Sequence, residues 1–273
     1  MINFLHTFHP QAIIVKFGPF AIHWYGLLMI IGGLLGFILI LKLAGKYGLE
    51  KKLFEDLLFW FVIGAIIGAR IYYVIYAWPM YKDNLVDILK IWEGGLAIHG
   101  IMLGGFIATF IYCWLKKKDF LLVADLAATG LVAAQIIGRV GNYFNQEILG
   151  LPTDLPWGIP IDPLFRPEQY TSFQYFHPTF IYESLGNILV LGFLLLLHFY
   201  RFKKKGFQPG QIFFTYLVLY SCLRFSLEFL RTDYSPLVFG VRWAQLLSVF
   251  LLFVCIVLLL VSRKFGLATK QKM

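Results

Sequence analysis

Residues 120–147, FLLVADLAATGLVAAQIIGRVGNYFNQE, decide the fold. A run of roughly 20 apolar residues is long enough to cross a bilayer as a helix, and Phe120 to Gly141 fills such a window with few polar interruptions. The far end of the run then becomes Gly138-Arg139-Val140-Gly141-Asn142-Tyr143-Phe144-Asn145-Gln146-Glu147, closed by Gly150, which sets a guanidinium at membrane depth. An arginine at the centre of a membrane helix costs about 2.5–3.5 kcal/mol on insertion scales, and less near an interface. Arg139 therefore marks a site.

The rest of the chain supports the membrane reading. Its 273 residues are 59% hydrophobic, 18% aromatic and only 14% charged, with a mean hydropathy of +0.74. That balance is too apolar for a soluble domain and predicts an all-α polytopic membrane protein, with residues 1–273 as a single integral membrane domain. The first apolar run begins near Phe20 with no basic stretch before it and no small-residue cleavage site. It reads as a retained helix of a chain that starts at Met1. A net charge of +9 raises nucleic acid as a partner, but the basic residues flank apolar spans and do not form a soluble patch, so no nucleic acid is expected. Cys113, Cys222 and Cys255 lie inside apolar runs without metal-ligand spacing and read as small core residues.

Seven spans are predicted, near Ile22 to Leu43, Leu53 to Trp78, Leu96 to Leu115, Phe120 to Gly141, Pro178 to Tyr200, Gly210 to Leu230 and Val241 to Val261. Basic residues gather at alternate connections: Lys42, Lys46, Lys51 and Lys52; Lys116 to Lys118; Arg201 with Lys203 to Lys205; and Arg263, Lys264, Lys270 and Lys272. Under the positive-inside rule these ends are cytoplasmic, so the N-terminus faces outward and the C-terminus inward. Residues 1–19 are expected in the interface, 80–95 as a second interfacial arm, and 142–177 as a small extracytoplasmic segment in which repeated prolines exclude a long helix.

On this topology the intramembrane polar groups collect in the outer half. Arg70 ends the second span and His99 opens the third; Arg139 and Asn142 end the fourth; Glu183 and Asn187 open the fifth; Tyr220, Arg224 and Glu228 occupy the outward half of the sixth; Tyr25 opens the first. A spacing of four stacks Tyr220, Arg224 and Glu228 on one helix face, with Arg224 able to pair Glu228. Arg139, Asn142 and Gln146 would stack likewise if their helix continued that far. Gly64 and Gly68, with Gly104 and Gly105, offer faces for close backbone approach.

Several chemistries fail on spacing. There is no His-Glu-x-x-His, no nucleophile-elbow serine and no phosphate-cradling Gly-x-x-x-x-Gly-Lys, so no metal and no cofactor is expected. What remains is an arginine-rich pocket open to the outer leaflet with one histidine, suited to a phosphate-bearing lipid. Plainer readings stand beside this one. Arg224 with Glu228 makes a helix-packing ion pair, Arg70 snorkels outward to lipid phosphates, His99 is a hydrogen-bonded core residue, and Tyr25 and Tyr220 are belt or packing aromatics. Asp125 reads as structural and Lys116 to Lys118 as a topology signal. A transporter or flippase binding an anionic lipid or solute, or a scaffold without chemistry, are the competing classes; discontinuous helices would favour the transporter.

These residues resemble the bacterial phosphatidylglycerol:prolipoprotein diacylglyceryl transferases. The family's Gly-Arg-x-(Gly/Ala)-Asn-Phe-x-Asn-x-Glu-x-x-Gly is matched by Gly138 to Gly150, with Tyr143 for the usual phenylalanine. Similarity continues through Trp24-Tyr25-Gly26, Gly95 to Gly100, His177-Pro178-Thr179 with Tyr182-Glu183, and Tyr220 through Arg224 and Glu228 to Arg231-Thr232-Asp233. The resemblance implies a multi-pass protein of the bacterial cell membrane with its active site facing the outer leaflet. It also implies transfer of an sn-1,2-diacylglyceryl group from phosphatidylglycerol to the lipobox cysteine of prolipoprotein signal peptides, with release of glycerol 1-phosphate. Arg139 and Arg224 are then expected to hold the phosphate and His99 to act as base. Tyr25, Asn142, Glu147, Glu183, Tyr220, Glu228 and Arg70 are expected around the substrate.

Overall fold

A computed structural model describes residues 6–18, 20–203 and 208–270, the stretch 262–270 by its backbone alone. The expectations for residues 1–5, Pro19, Lys204, Lys205 and Lys272, and for the side chains of Arg263, Lys264 and Lys270, lie outside the described residues. A hairpin of β1 (Ile13–Phe17) and β2 (Phe20–His23) leads into α1 (Trp24–Lys46) and α2 (Lys51–Tyr76). A helical turn at Trp78–Tyr81 and 3-10 turns at Leu85–Leu89 and Ile91–Glu93 precede α3 (Ile98–Leu115) and α4 (Phe120–Phe144). There follow the paired strands β3 (Ile159–Pro160) and β4 (Tyr175–Phe176), α5 (Thr179–Lys203), α6 (Gln211–Glu228), the hairpin β5 (Leu237–Val238) and β6 (Val241–Arg242), and α7 (Trp243–Lys270).

Among the described residues six helices, α1 to α5 and α7, are long and apolar enough to cross a membrane. The expected span Gly210 to Leu230 is instead the 18-residue α6, diluted by Thr215, Tyr216, Tyr220, Ser221, Arg224, Ser226 and Glu228. Apolar side chains such as Phe59, Ile75 and Leu189 are 60–77% exposed, a liability in water and the right surface for lipid. Short strands move two helix starts from their expected places. Residues Phe20–His23 and Val241–Arg242 are strands, so their helices begin only at Trp24 and Trp243. In the first hairpin the turn is made by Gly18 at φ 58, a left-handed conformation that costs glycine nothing. Cys113 and Cys255 are buried as expected, whereas Cys222 is exposed.

The chain divides into two compact units, Leu41–Ala124 and Met1–Ile40 with Asp125–Met273. In the first, α2 packs on α3 through glycines. An added Cβ on Gly64 would sit 2.8 Å from the Gly104 carbonyl oxygen, and one on Gly68 would sit 2.7 Å from the Gly104 Cα. The helices touch backbone to backbone, which only small residues permit.

The second unit is centred on α4, α5 and α6, where Ala128, Val132, Val190, Leu194, Ile212 and Tyr216 form a buried cluster. Asp125 anchors it as a structural residue. Its buried carboxylate accepts from the backbone amides of Gly210 and Phe213 at 2.9 and 2.8 Å, capping the start of α6, and pairs with Arg201 at 2.7 Å. Beyond α4 the segment 149–177 contributes Leu149, Ile159, Ile161 and Phe176 to a small core completed by Phe180 of α5. Its residues 149–151 bond on one side to Leu230 and Thr232 and on the other to His177. The exits of α4 and α6 and the entry of α5 are thereby stitched together.

Candidate functional site

α4 ends in a Schellman motif. The amide of Glu147 bonds to the carbonyl of Asn142 at 3.2 Å and that of Gln146 to Tyr143 at 3.1 Å, with Gln146 left-handed at φ 50. A glycine usually fills that position, since a left-handed side chain costs roughly 1–2 kcal/mol. Gln146 instead uses its amide as a strut: Nε2 donates to the Pro10 carbonyl at 3.4 Å and Oε1 accepts from the Asp162 amide at 2.8 Å. The helix stops at Phe144, so the condition for Gln146 to extend the Arg139–Asn142 face is not met. The turn brings Glu147 back under Asn142, whose Nδ2 donates to it at 2.7 Å while Oδ1 accepts from Arg139 Nη1 at 3.4 Å. Tyr25, at the start of α1, lays its ring on the backbone of Gly141, where an added Cβ would meet it at 2.9 Å.

Glu183 lies across from this turn on α5, its side chain 1% exposed. It pairs with Arg139 Nη2 at 2.7 Å, accepts from the Tyr220 hydroxyl at 3.1 Å, and has Arg231 Nη1 at 3.9 Å. On α6 the spacing of four delivers the expected pair: Arg224 Nη1 lies 2.5 Å from Glu228 Oε2. The other oxygen of Glu228 faces Arg242 Nε at 2.7 Å. Both are contact ion pairs without aligned hydrogen-bond geometry. Arg242 continues to the carbonyls of Arg231, at 2.6 Å, and Asp233, and Arg231 holds the Asp233 carboxylate with two bonds at 2.7 and 3.0 Å.

Arg231 and Arg242 were not expected as site residues. Four guanidiniums thus meet Glu183, Glu228 and Asp233 among the described residues, and the hydrogen bonds from Arg139 to Asn142 and from Asn142 to Glu147 bring a fourth carboxylate to the same cluster. Arg139 and Arg224 are each about one-fifth exposed, whereas the two glutamates are fully enclosed. An anion reaching the network therefore meets guanidinium first.

Arg70 and His99 belong to the other unit. Arg70 is buried and gives all its donors to carbonyls of the arm 82–95: Nε to Ile88 at 2.8 Å, Nη1 to Gly94 and Gly95 at 2.7 and 3.0 Å, and Nη2 to Asp87 and Lys90 at 2.6 and 3.3 Å. His99 sits in the first turn of α3, exposed, its ring stacked on Tyr72 at 5.8 Å.

Comparison with known proteins gives the family of the chain. The pattern of the family described as prolipoprotein diacylglyceryl transferase matches residues 12–261. A phosphatidylglycerol–prolipoprotein diacylglyceryl transferase of Acaryochloris marina is 46% identical over 88% of this chain and 86% of its own length. Proteins of the same name from Trichormus variabilis and Thermotoga maritima are 44% and 42% identical, over 90% and 88% of the chain and 86% and 80% of their own lengths. With nearly its whole length matched, the chain belongs to the prolipoprotein diacylglyceryl transferase family.

Proposed function

We propose that this protein transfers the sn-1,2-diacylglyceryl group of phosphatidylglycerol to the lipobox cysteine of prolipoprotein signal peptides, releasing glycerol 1-phosphate. The observation that carries the mechanism is the network of four arginines on two buried glutamates, with the Arg139 and Arg224 forks at its open side. A phosphodiester carries one negative charge, which the partly exposed guanidiniums of Arg139 and Arg224 complement. In the reaction the cysteine sulfur bonds to the glyceryl carbon and the carbon–oxygen bond to phosphate breaks. The bonding pair leaves with the phosphate, which becomes a monoester of higher charge. Fixed guanidiniums stabilise that developing charge more than the starting diester, and this difference is what accelerates the step. Glu183 and Glu228 hold the forks in place, Tyr220 braces Glu183, and Asn142, tied to Glu147, donates to the phosphate or the glycerol hydroxyls. Tyr25 closes the site at Gly141.

A thiol with an ordinary pKa of about 8.5 is mostly protonated at neutral pH, so a base that takes its proton as the sulfur attacks speeds the step. His99 is assigned that role, with Arg70 in its surroundings. The outward ends of the helices face the outer leaflet of the cell membrane, with the N-terminus outside and 142–177 as the extracytoplasmic head. α6 crosses as the seventh span with its charged face turned to Glu183; at about 27 Å it nearly matches the hydrocarbon thickness. α4, α5 and α6 run unbroken, which disfavours a transporter built on discontinuous helices.

The test incubates the purified protein in phosphatidylglycerol-containing bilayers with a lipobox peptide and reads the adduct by mass spectrometry. A thioether-linked diacylglyceryl peptide with one equivalent of glycerol 1-phosphate is expected, and Arg139→Ala should lower its rate by about a hundredfold or more. A folded protein that makes no adduct, or an undiminished rate from the variant, would overturn the reading.

A further inference from the structure

Arg70 has a geometry that neither lipid binding nor snorkelling requires. A guanidinium has five N–H groups, and the structure gives Arg70 five hydrogen bonds, every one to a backbone carbonyl between Asp87 and Gly95. Its cation lies 5.1 Å from the Tyr81 ring centroid. The nearby carboxylate of Asp87 is taken by Lys90 at 2.6 Å, so carbonyl dipoles surround the charge. An arginine used in this way is a template for a stretch of chain whose own backbone bonds are those of two short 3-10 turns.

That stretch leads directly into α3. Gly94 and Gly95 take φ values of 93° and 71°, which only glycine adopts without strain, and they turn the chain under the guanidinium. The fit is close: a Cβ on Gly95 would stand 2.5 Å from Arg70 Nη1 and 2.9 Å from the Tyr73 ring. Two residues later the Ala97 amide bonds to the carbonyl of Ala69 at 3.2 Å, α3 starts at Ile98, and the His99 ring stacks on Tyr72. The last turns of α2 thus hold the approach to His99 at three successive points: the Ala69 carbonyl, the Arg70 fork and the Tyr72 ring.

We propose that Arg70 is a positioning residue for His99, fixing the arm and, through the Gly94–Gly95 turn, the first turn of α3. The inference rests on the reading of His99 as the base, and the experiment separates the two. Transfer kinetics are measured for Arg70→Met, Arg70→Lys and Gly95→Ala, each alone and combined with His99→Gln, together with amide hydrogen exchange over residues 84–102. Misplacing a reacting group by about an ångström can cost two orders of magnitude. Each arm variant should therefore lower kcat about tenfold or more, with KM for phosphatidylglycerol within about twofold of the parent. Lysine should not rescue, because one ammonium has three donors and no fork. In the His99→Gln background the same substitutions should cost less than about twofold, because sites that act as a unit are non-additive. Protection should fall across 87–102 and stay unchanged in α5 and α6.

Losses that multiply in full with His99→Gln, a rise confined to KM, or unaltered exchange would each overturn the proposal; the KM result would instead mark Arg70 as a headgroup contact. If His99→Gln is as active as the parent, the base assignment falls by itself, and exchange over 94–102 still decides whether Arg70 fixes the histidine.

Discussion

Glu183 holds two arginines and a tyrosine while its side chain is 1% exposed, so its charge is defined almost wholly by its partners. Removing one member of a buried ion pair costs about 3–5 kcal/mol, because the other is left uncompensated. In this site the orphan is Arg139, and an incoming phosphate is the charge it would seek. Glu183→Gln is therefore expected to lower thermal stability and to lower kcat about tenfold or more through loss of fork orientation. KM for phosphatidylglycerol should not rise, since the competing carboxylate is gone. Arg139→Gln should raise KM as well as lower kcat; equal KM effects from the two variants would contradict the assigned roles. The sequence made the Arg224–Glu228 pair legible because a spacing of four is a helix property. Arg231 and Arg242 stayed hidden because they lie outside the helices, where spacing says nothing about neighbours, and charges at span ends read as topology signals. The available clue was chemical: a carboxylate at membrane depth has two oxygens, and Arg224 covers only one of Glu228's.

Helices were the easiest elements to read, since an apolar run bounded by lysines or prolines has few alternatives in lipid. The short hairpins were not, because four residues such as Phe20–His23 carry no period that separates strand from helix. Extending α1 back to Ile22 followed from hydropathy alone, which does not register the left-handed turn at Gly18. Glycines divide the same way. Gly64, Gly68, Gly100 and Gly104 stand where α2 and α3 meet backbone to backbone, whereas an added Cβ on Gly33 meets nothing within 4 Å. Gly104→Leu is expected to force the two helices apart and destabilise the protein by roughly 1–3 kcal/mol or more, the usual cost of overpacking. Gly33→Ala should hold or raise stability by up to about 1 kcal/mol through helix propensity. Thermal unfolding in one detergent checks both, and the argument fails if the two substitutions behave alike.

For the molecule as a whole, acid should loosen the joint outside the spans first. His177 lies at the entry to α5, where its backbone pairs with Gly150 and Leu151 and its Nδ1 faces the Tyr182 hydroxyl at 3.1 Å. Trp157 donates its indole N–H to that same oxygen at 2.7 Å, and an indole can only donate. The hydroxyl keeps its own proton and a second lone pair, so the bond to Nδ1 runs in either direction with the tautomer of the imidazole. Burial pushes the His177 pKa below its ordinary value near 6.5. Asp233 sits on the far side of the joint. Burial pushes its carboxyl up, but the two bonds from Arg231 and the charges around it prevail and hold it below the usual carboxylate range. Both groups therefore bind protons more readily when unfolded, so stability falls as pH drops through their titration ranges. The loss from His177 begins as pH drops through about 6.5, and that from Asp233 only below about 4, the unfolded carboxylate value. Melting temperature measured from pH 8 to pH 3 should fall in two stages. His177→Gln is expected to flatten the upper stage and Asp233→Asn the lower, each leaving the other in place. A profile in which neither substitution alters its own stage would show that the joint between α4, α5 and α6 is held without these charges.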